Sequence, residues 1–199
     1  MENRIAALRI WTIGHSNLDW PTFSRHLASV DIAVVADVRS YPVSRYPHFC
    51  RAALKDRLNA SGVAYVFLGR ELGGRPRHGA PADYEAMAKT PLFLEGLSCV
   101  EQIAGRARLA LLCSEHEPLC CHRCLLVGRA LVERGASVEH ILRDGRAEPH
   151  PQTEERLLDL VRQTEVDLFA PRAERLSRAY RAQELRLRRA TDGTRRKPS

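Results

Sequence analysis

Continuous apolar runs alternate with helical-period segments along the first 145 residues, and this alternation confines the chain to the α/β folds. Runs rich in β-branched residues stand at 9–13, 32–36, 63–68, 108–112 and 138–142. Their apolar character is unbroken instead of alternating, as in strands covered on both faces. Between them, 20–30, 51–60, 84–104 in two pieces and 122–133 carry apolar residues at helical spacing. The pattern predicts a mostly parallel five-stranded sheet with helices on both faces, Rossmann-like or flavodoxin-like. Asp19 and Asp83 stand where helix N-caps belong, and Gly62 and Gly135 where helices end before strands.

The character changes near residue 149. Residues 153–161 read as a further helix, 166–169 as a short apolar patch, and 172–199 as a basic, Arg-rich tail that is partly helical and frays at its end. The expected organisation is a single α/β domain over 1–171 followed by that tail. Ten Lys/Arg against three Asp/Glu fall in 172–199, so the tail carries the whole net charge of +7. A basic tail attracts phosphates, which makes nucleic acid one expected partner. No apolar run approaches the roughly 20 residues of a membrane span, and the start has no apolar signal core. A cytoplasmic protein without a membrane partner is expected. Four of the six cysteines crowd into 113–124, which suits free thiols or metal ligands in a reducing compartment better than a disulfide framework.

In a parallel sheet, ligands gather beyond the carboxyl ends of the strands. The segments just past the first four runs are Gly14-His15-Ser16-Asn17, Asp37 to Arg45, Gly69 to Arg75 and Cys113 to Arg123. All are rich in polar groups, whereas the opposite strand ends are short turns of small residues. One rim therefore reads as a site. Cys121 stands at the start of the 122–133 helix, where unpaired N–H groups favour a thiolate or a bound anion. Beside it His122 titrates near neutral pH and Arg123 presents a fork suited to phosphate.

Plainer roles compete at several positions. Asp37 and Arg39 suit a strand-end ion pair, His15 a turn cap and Gly73-Gly74 a tight bend. Neither thiol matches a Cys-x5-Arg phosphatase loop, because Leu119 and Val127 stand six positions after Cys113 and Cys121, and Gly14-His15-Ser16 lacks the ending of a phosphate-binding loop. Cys113-x-x-His116 and Cys121-x-x-Cys124 have zinc-like spacing, but only four residues separate the pairs. No metal or other cofactor is expected, with zinc on Cys113, His116, Cys121 and Cys124 as the lesser alternative.

Five motifs in order, Thr12-Ile-Gly14-His15-Ser16, Asp37-Val-Arg39 with Pro42 and Ser44-Arg45, Glu71-Leu-Gly73-Gly74, Leu112-Cys113-x-Glu115 and Cys121-His122-Arg123, resemble the bacterial and archaeal domain of unknown function 488 family over about residues 9–145. The resemblance implies an α/β domain with a shared polar site of unestablished purpose. Cys120 and Cys124 depart from the family pattern, which leaves Cys113, Glu115, Cys121, His122 and Arg123 as its core.

The expectation is an enzyme, of hydrolase or transferase type, acting on a phosphate-bearing substrate, either a nucleotide or nucleic acid. Cys113, Glu115, Cys121, His122, His15 and Asp37 are its catalytic candidates. Arg39, Arg45, Arg123, Ser16, Glu71, Gly73 and Gly74 are candidates for holding the anion. A non-enzymatic nucleic-acid-binding module is the alternative.

Overall fold

Five parallel strands, β1 (Arg9–Gly14), β2 (Val34–Asp37), β3 (Ala64–Phe67), β4 (Leu109–Cys113) and β5 (Ser137–Ile141), lie in the order β3-β2-β4-β1-β5. The computed structural model describes residues 8–75, 83–162 and 170–195, and the apolar patch expected at 166–169 lies outside them. A sixth strand, β6 (Ala147–Pro149), pairs antiparallel with β5. It was not expected because its three residues carry no apolar run and end in Pro, which a sheet tolerates at an edge.

Side chains leave each central strand toward alternate faces, and both faces are covered. Ile10, Leu109, Leu111 and Val138 pack with Phe93, Leu97 and Val100 of α4 (Pro91–Ala104) and with Leu126, Val127 and Leu131. On the other face Trp11, Ile13, Val35, Ala110 and Leu112 meet Phe23 and Leu27 of α1 (Trp20–Ala28) and Leu54 and Leu58 of α2 (Arg51–Ala60). Asp19 caps α1 through Thr22 N, and Asp83 caps α3 (Tyr84–Ala88) through Ala86 N. The helix expected at 122–133 starts with a π-helical stretch, Arg123–Gly128, before α5 (Arg129–Glu133). All six residues of that stretch are buried.

A third core cluster joins α6 (His150–Arg162) to α7 (Arg172–Arg195). Leu157, Leu158 and Val161 pack with Leu176, Ala179 and Tyr180 against Leu119, Cys124 and Leu125. Leu176 and Tyr180 are among the few apolar anchors of the basic segment. Its charges are partly matched, by Arg172 with Glu154 and Glu155, Arg178 with Glu174, and Arg188 with Glu184. No helix among the described residues is long and apolar enough to cross a membrane.

Because α7 contributes to a core, removing residues 172–199 uncovers Leu157 and Leu158 and is expected to lower the urea midpoint. Such a truncation does not isolate the effect of the basic charges. Leu157→Ala, at a fully buried position, is expected to cost about 2–5 kcal/mol by the same denaturation measurement.

Candidate active site at the carboxyl rim

The strand order sets the ends of β2, β4 and β1 side by side, with Gly14 level with Cys113 and Asp37 level with Leu112. The following loops are stitched together by His15 N to Cys113 O (3.0 Å) and Ser16 N to Ser114 O (2.8 Å). Beneath them lies Arg123, fully buried. Its Nε donates to Thr12 Oγ1 (3.2 Å), its Nη2 to His116 O (2.8 Å) and its Nη1 to Glu115 O. Among the described residues no carboxylate pairs with this guanidinium. A Cβ on Gly14 would overlap both Glu115 O and Arg123 Nη1, so the absent side chain is what admits the arginine beneath the loop.

Arg123 folds the 113–121 loop so that three titratable groups converge. Cys113 Sγ and Cys121 Sγ lie 3.6 and 3.9 Å from His122 Nδ1. His122 Nε2 donates to Val38 O (3.0 Å), which turns Nδ1 toward the sulfurs. Gly74 lies flat against the imidazole, where a Cβ would overlap it. The Cys113 thiol donates to Glu115 Oε2 (3.1 Å), and the backbone N–H of Arg123 donates to Cys121 Sγ (3.4 Å).

The electrostatics separate the two thiols. Burial alone would raise Cys121, but the polar contact with Cys113, the charge of Arg123 and the contact with His122 outweigh it and hold Cys121 well below the ordinary thiol range. Cys113 is pushed well up, by burial and by its thiolate neighbour. Burial works against the His122 cation, yet the Cys121 hydrogen bond and charge raise it. Glu115 is raised by burial and then by the Cys121 charge.

These groups open on a pocket of about 610 Å³. Cys113, Glu115, Cys121 and His122 lie along it, with Arg39, Gly74, Arg75, Tyr41 and Tyr84 around them and Glu184, Leu187 and Arg188 of α7 as one wall. The remaining sequence candidates sit elsewhere. Arg123 is spent beneath the loop, since its donors go to Thr12 and two carbonyls. Arg45 is exposed and lies over the Tyr46 ring (5.3 Å). Ser16, Glu71 and Gly73 do not line the pocket, and Gly73 instead packs against Gly69 O and Ser40.

Asp37 and His15 act from behind. Asp37 takes a bidentate ion pair from Arg39, Nε to Oδ1 at 2.8 Å and Nη2 to Oδ2 at 2.6 Å, and a bond from Tyr65 OH (2.9 Å). Arg39 Nη1 reaches Phe49 O (2.9 Å) and His15 Nε2 (3.2 Å). His15 Nδ1 bonds Ser16 O (3.0 Å), so Nδ1 carries the proton and Nε2 accepts. The ring stacks on Phe49 at 4.2 Å. Burial, followed by the Arg39 charge, lowers its pKa to about 4.

Sequence reasoning missed the α7 wall and Tyr84, because a residue on a helix face gives no local sign of which pocket it borders. It also missed Thr12, His140 and His150, which are buried in strands or at a helix start. Metal donors fall into two groups. Cys113, Cys121 and His122 offer donor atoms within 4.8 Å of one another, as do Cys124, His140 and His150. The four-residue set expected from spacing is divided, since Cys124 faces the histidine pair and His116 borders a different hollow.

Fold and site together define an α/β protein with a parallel sheet and a buried thiol–imidazole cluster at its carboxyl rim. The chain belongs to the family described as domain of unknown function DUF488, whose model matches residues 19–130. That stretch contains the cysteines, Glu115, His122 and Arg123, whereas β1 with His15, and all of α6 and α7, lie outside it. Among curated proteins and solved structures nothing matches the chain significantly.

A neutral buried His15 makes the fold sensitive to acid. The unfolded chain binds a proton near pH 6.5 that the native chain refuses until about pH 4, so stability rises with pH across that window and is lost on acidification. The shift corresponds to about 3 kcal/mol. His15→Gln, which keeps an acceptor for Arg39 and a donor for Ser16 O, is expected to flatten the acid limb of a urea-denaturation profile between pH 6.5 and 4.

Proposed function

We propose that the chain is a cysteine-dependent enzyme acting on a phosphate-bearing substrate, a nucleotide or nucleic acid, with Cys121 as nucleophile. The observation that carries this reading is a buried guanidinium with no carboxylate partner among the described residues, on the same residue whose backbone N–H donates to the Cys121 sulfur. A buried cation demands a counter-charge, and the Cys121 thiolate supplies it. The thiolate that balances Arg123 is also the group that faces the pocket.

In the proposed reaction the thiolate attacks the electrophilic centre and forms a sulfur bond to it as the leaving group departs. Glu115, raised above the usual carboxylate range, or the His122 cation protonates that leaving group. Water or an acceptor alcohol then displaces sulfur, giving its proton to the same base. Arg75 and Arg188 line the pocket beside Arg39, whose nitrogens are engaged by Asp37, Phe49 and His15, and this supports Arg75 and Arg188 as the groups that receive phosphate. In this reading Arg75 and Arg188 take the role expected from the sequence for Arg39, Arg45 and Arg123.

Iodoacetamide labelling of the full chain from pH 5 to 9, read at Cys121 by mass spectrometry, tests the nucleophile. The expected midpoint lies below the reference of about 8.5 for a free thiol, and a nucleoside monophosphate slows labelling. Ordinary reactivity at Cys121, unaffected by nucleotide, would sink the reading. Stoichiometric metal in protein purified without chelator, with labelling restored by its removal, would replace the nucleophile with a metal-held cluster.

A further inference from the structure

His140 and His150 are fully buried behind the cysteine loop and take no part in the chemistry above. With Cys124 they offer three donors, one short of a closed tetrahedral shell, and every ring nitrogen is already engaged by the protein. Their hydrogen bonds form a single line. Arg123 Nε meets Thr12 Oγ1 (3.2 Å), Thr12 Oγ1 meets His140 Nδ1 (2.7 Å), and His140 Nε2 meets His150 Nδ1 (2.9 Å). His150 Nε2 then meets Tyr180 OH (2.9 Å), which donates to Glu154 Oε1 (3.1 Å).

The Glu154 end dictates the direction of every bond in the line. An ionised carboxylate only accepts and a guanidinium only donates. Glu154, paired with Arg172, takes the Tyr180 hydrogen, so Tyr180 oxygen accepts from His150 Nε2–H. Burial keeps both imidazoles neutral, with the His150 neighbour adding to the effect on His140. His150 Nδ1 therefore accepts from His140 Nε2–H, and His140 Nδ1 accepts the Thr12 hydroxyl hydrogen. A lone pair of Thr12 is thereby turned toward Arg123. One reversed proton would set hydrogen against hydrogen somewhere in the line.

We propose that His140, His150 and Tyr180 are positioning residues, a proton-ordered relay through which α6 and α7 orient Arg123 and, through it, the Cys121 thiolate. The proposal rests on the reading of Cys121 as a reactive thiolate. It places the source of that reactivity partly outside residues 19–130, in β1, β5, α6 and α7. Cys121 itself faces Cys113, Glu115, His122 and Arg123, and of these the relay touches only Arg123.

His140→Gln retains an acceptor toward Thr12 and a donor toward His150, whereas His140→Leu fills the same space with neither. The Leu variant is expected to move the iodoacetamide labelling midpoint of Cys121 upward by about one pH unit, which slows labelling about tenfold at pH values well below the wild-type midpoint. The Gln variant stays near wild type, and Tyr180→Phe shifts the midpoint in the same direction by less. Equal labelling of the Leu and Gln variants overturns the relay, because a packing role makes no distinction in polarity. If the Leu variant fails to fold, Tyr180→Phe and nitrogen-15 NMR of the full chain carry the test. Both rings are expected as neutral Nε2–H tautomers at neutral pH, and either ring protonated on Nδ1 overturns the relay whatever Cys121 does. Unremarkable wild-type labelling with the expected tautomers would instead overturn the thiolate reading and leave the ordered line standing.

Discussion

The rim of this molecule depends on one buried cation. Removing a guanidinium from water is costly, and no carboxylate meets Arg123 among the described residues. Its hydration is replaced by two backbone carbonyls of the 113–121 loop and the Thr12 hydroxyl. Without Arg123 the carbonyls of Glu115 and His116 lose their donors, the loop loses its fold, and the two sulfurs lose the geometry that separates their proton affinities. Fold and chemistry here share the same bonds.

Much of this was legible from the sequence. The five parallel strands follow from unbroken apolar runs such as 108–112, because only burial on both faces favours them. The gathering of Cys113, Glu115, Cys121 and His122 follows from the rule that ligands collect beyond strand carboxyl ends. Individual roles were harder to read. An arginine that binds a phosphate and one that braces a loop look alike in sequence, and what distinguishes Arg45 from Arg123 is burial, which depends on the missing side chain of Gly14. Arg39 is intermediate, fixed by Asp37 yet lining the pocket. Thr12 stood only as part of a motif, and His140 and His150 carried no signal, since a buried polar residue declares its partner only when distant segments pack against it.

The basic segment illustrates a different limit. Its composition suggested a solvated tail, and by charge count alone that remains a fair description of one face. Leu176 and Tyr180 change the outcome, because these anchors, one helical turn apart, seat α7 on α6 with Ala179 between them. Once seated, the helix brings Glu184, Leu187 and Arg188 to the pocket. The family-matched stretch thus supplies the reactive groups, and a segment beyond it shapes the space in front of them.

Arg123 grips the loop by main-chain oxygens alone, and this has a bearing on how such a protein can diversify. Carbonyls are common to every amino acid, so Ser114 and His116 can be exchanged without removing an acceptor from Arg123. Ser114 lines the pocket, so a change of its side chain would refit the mouth while the main-chain frame around the sulfurs keeps its shape, much as interchangeable jaws fit a single vice.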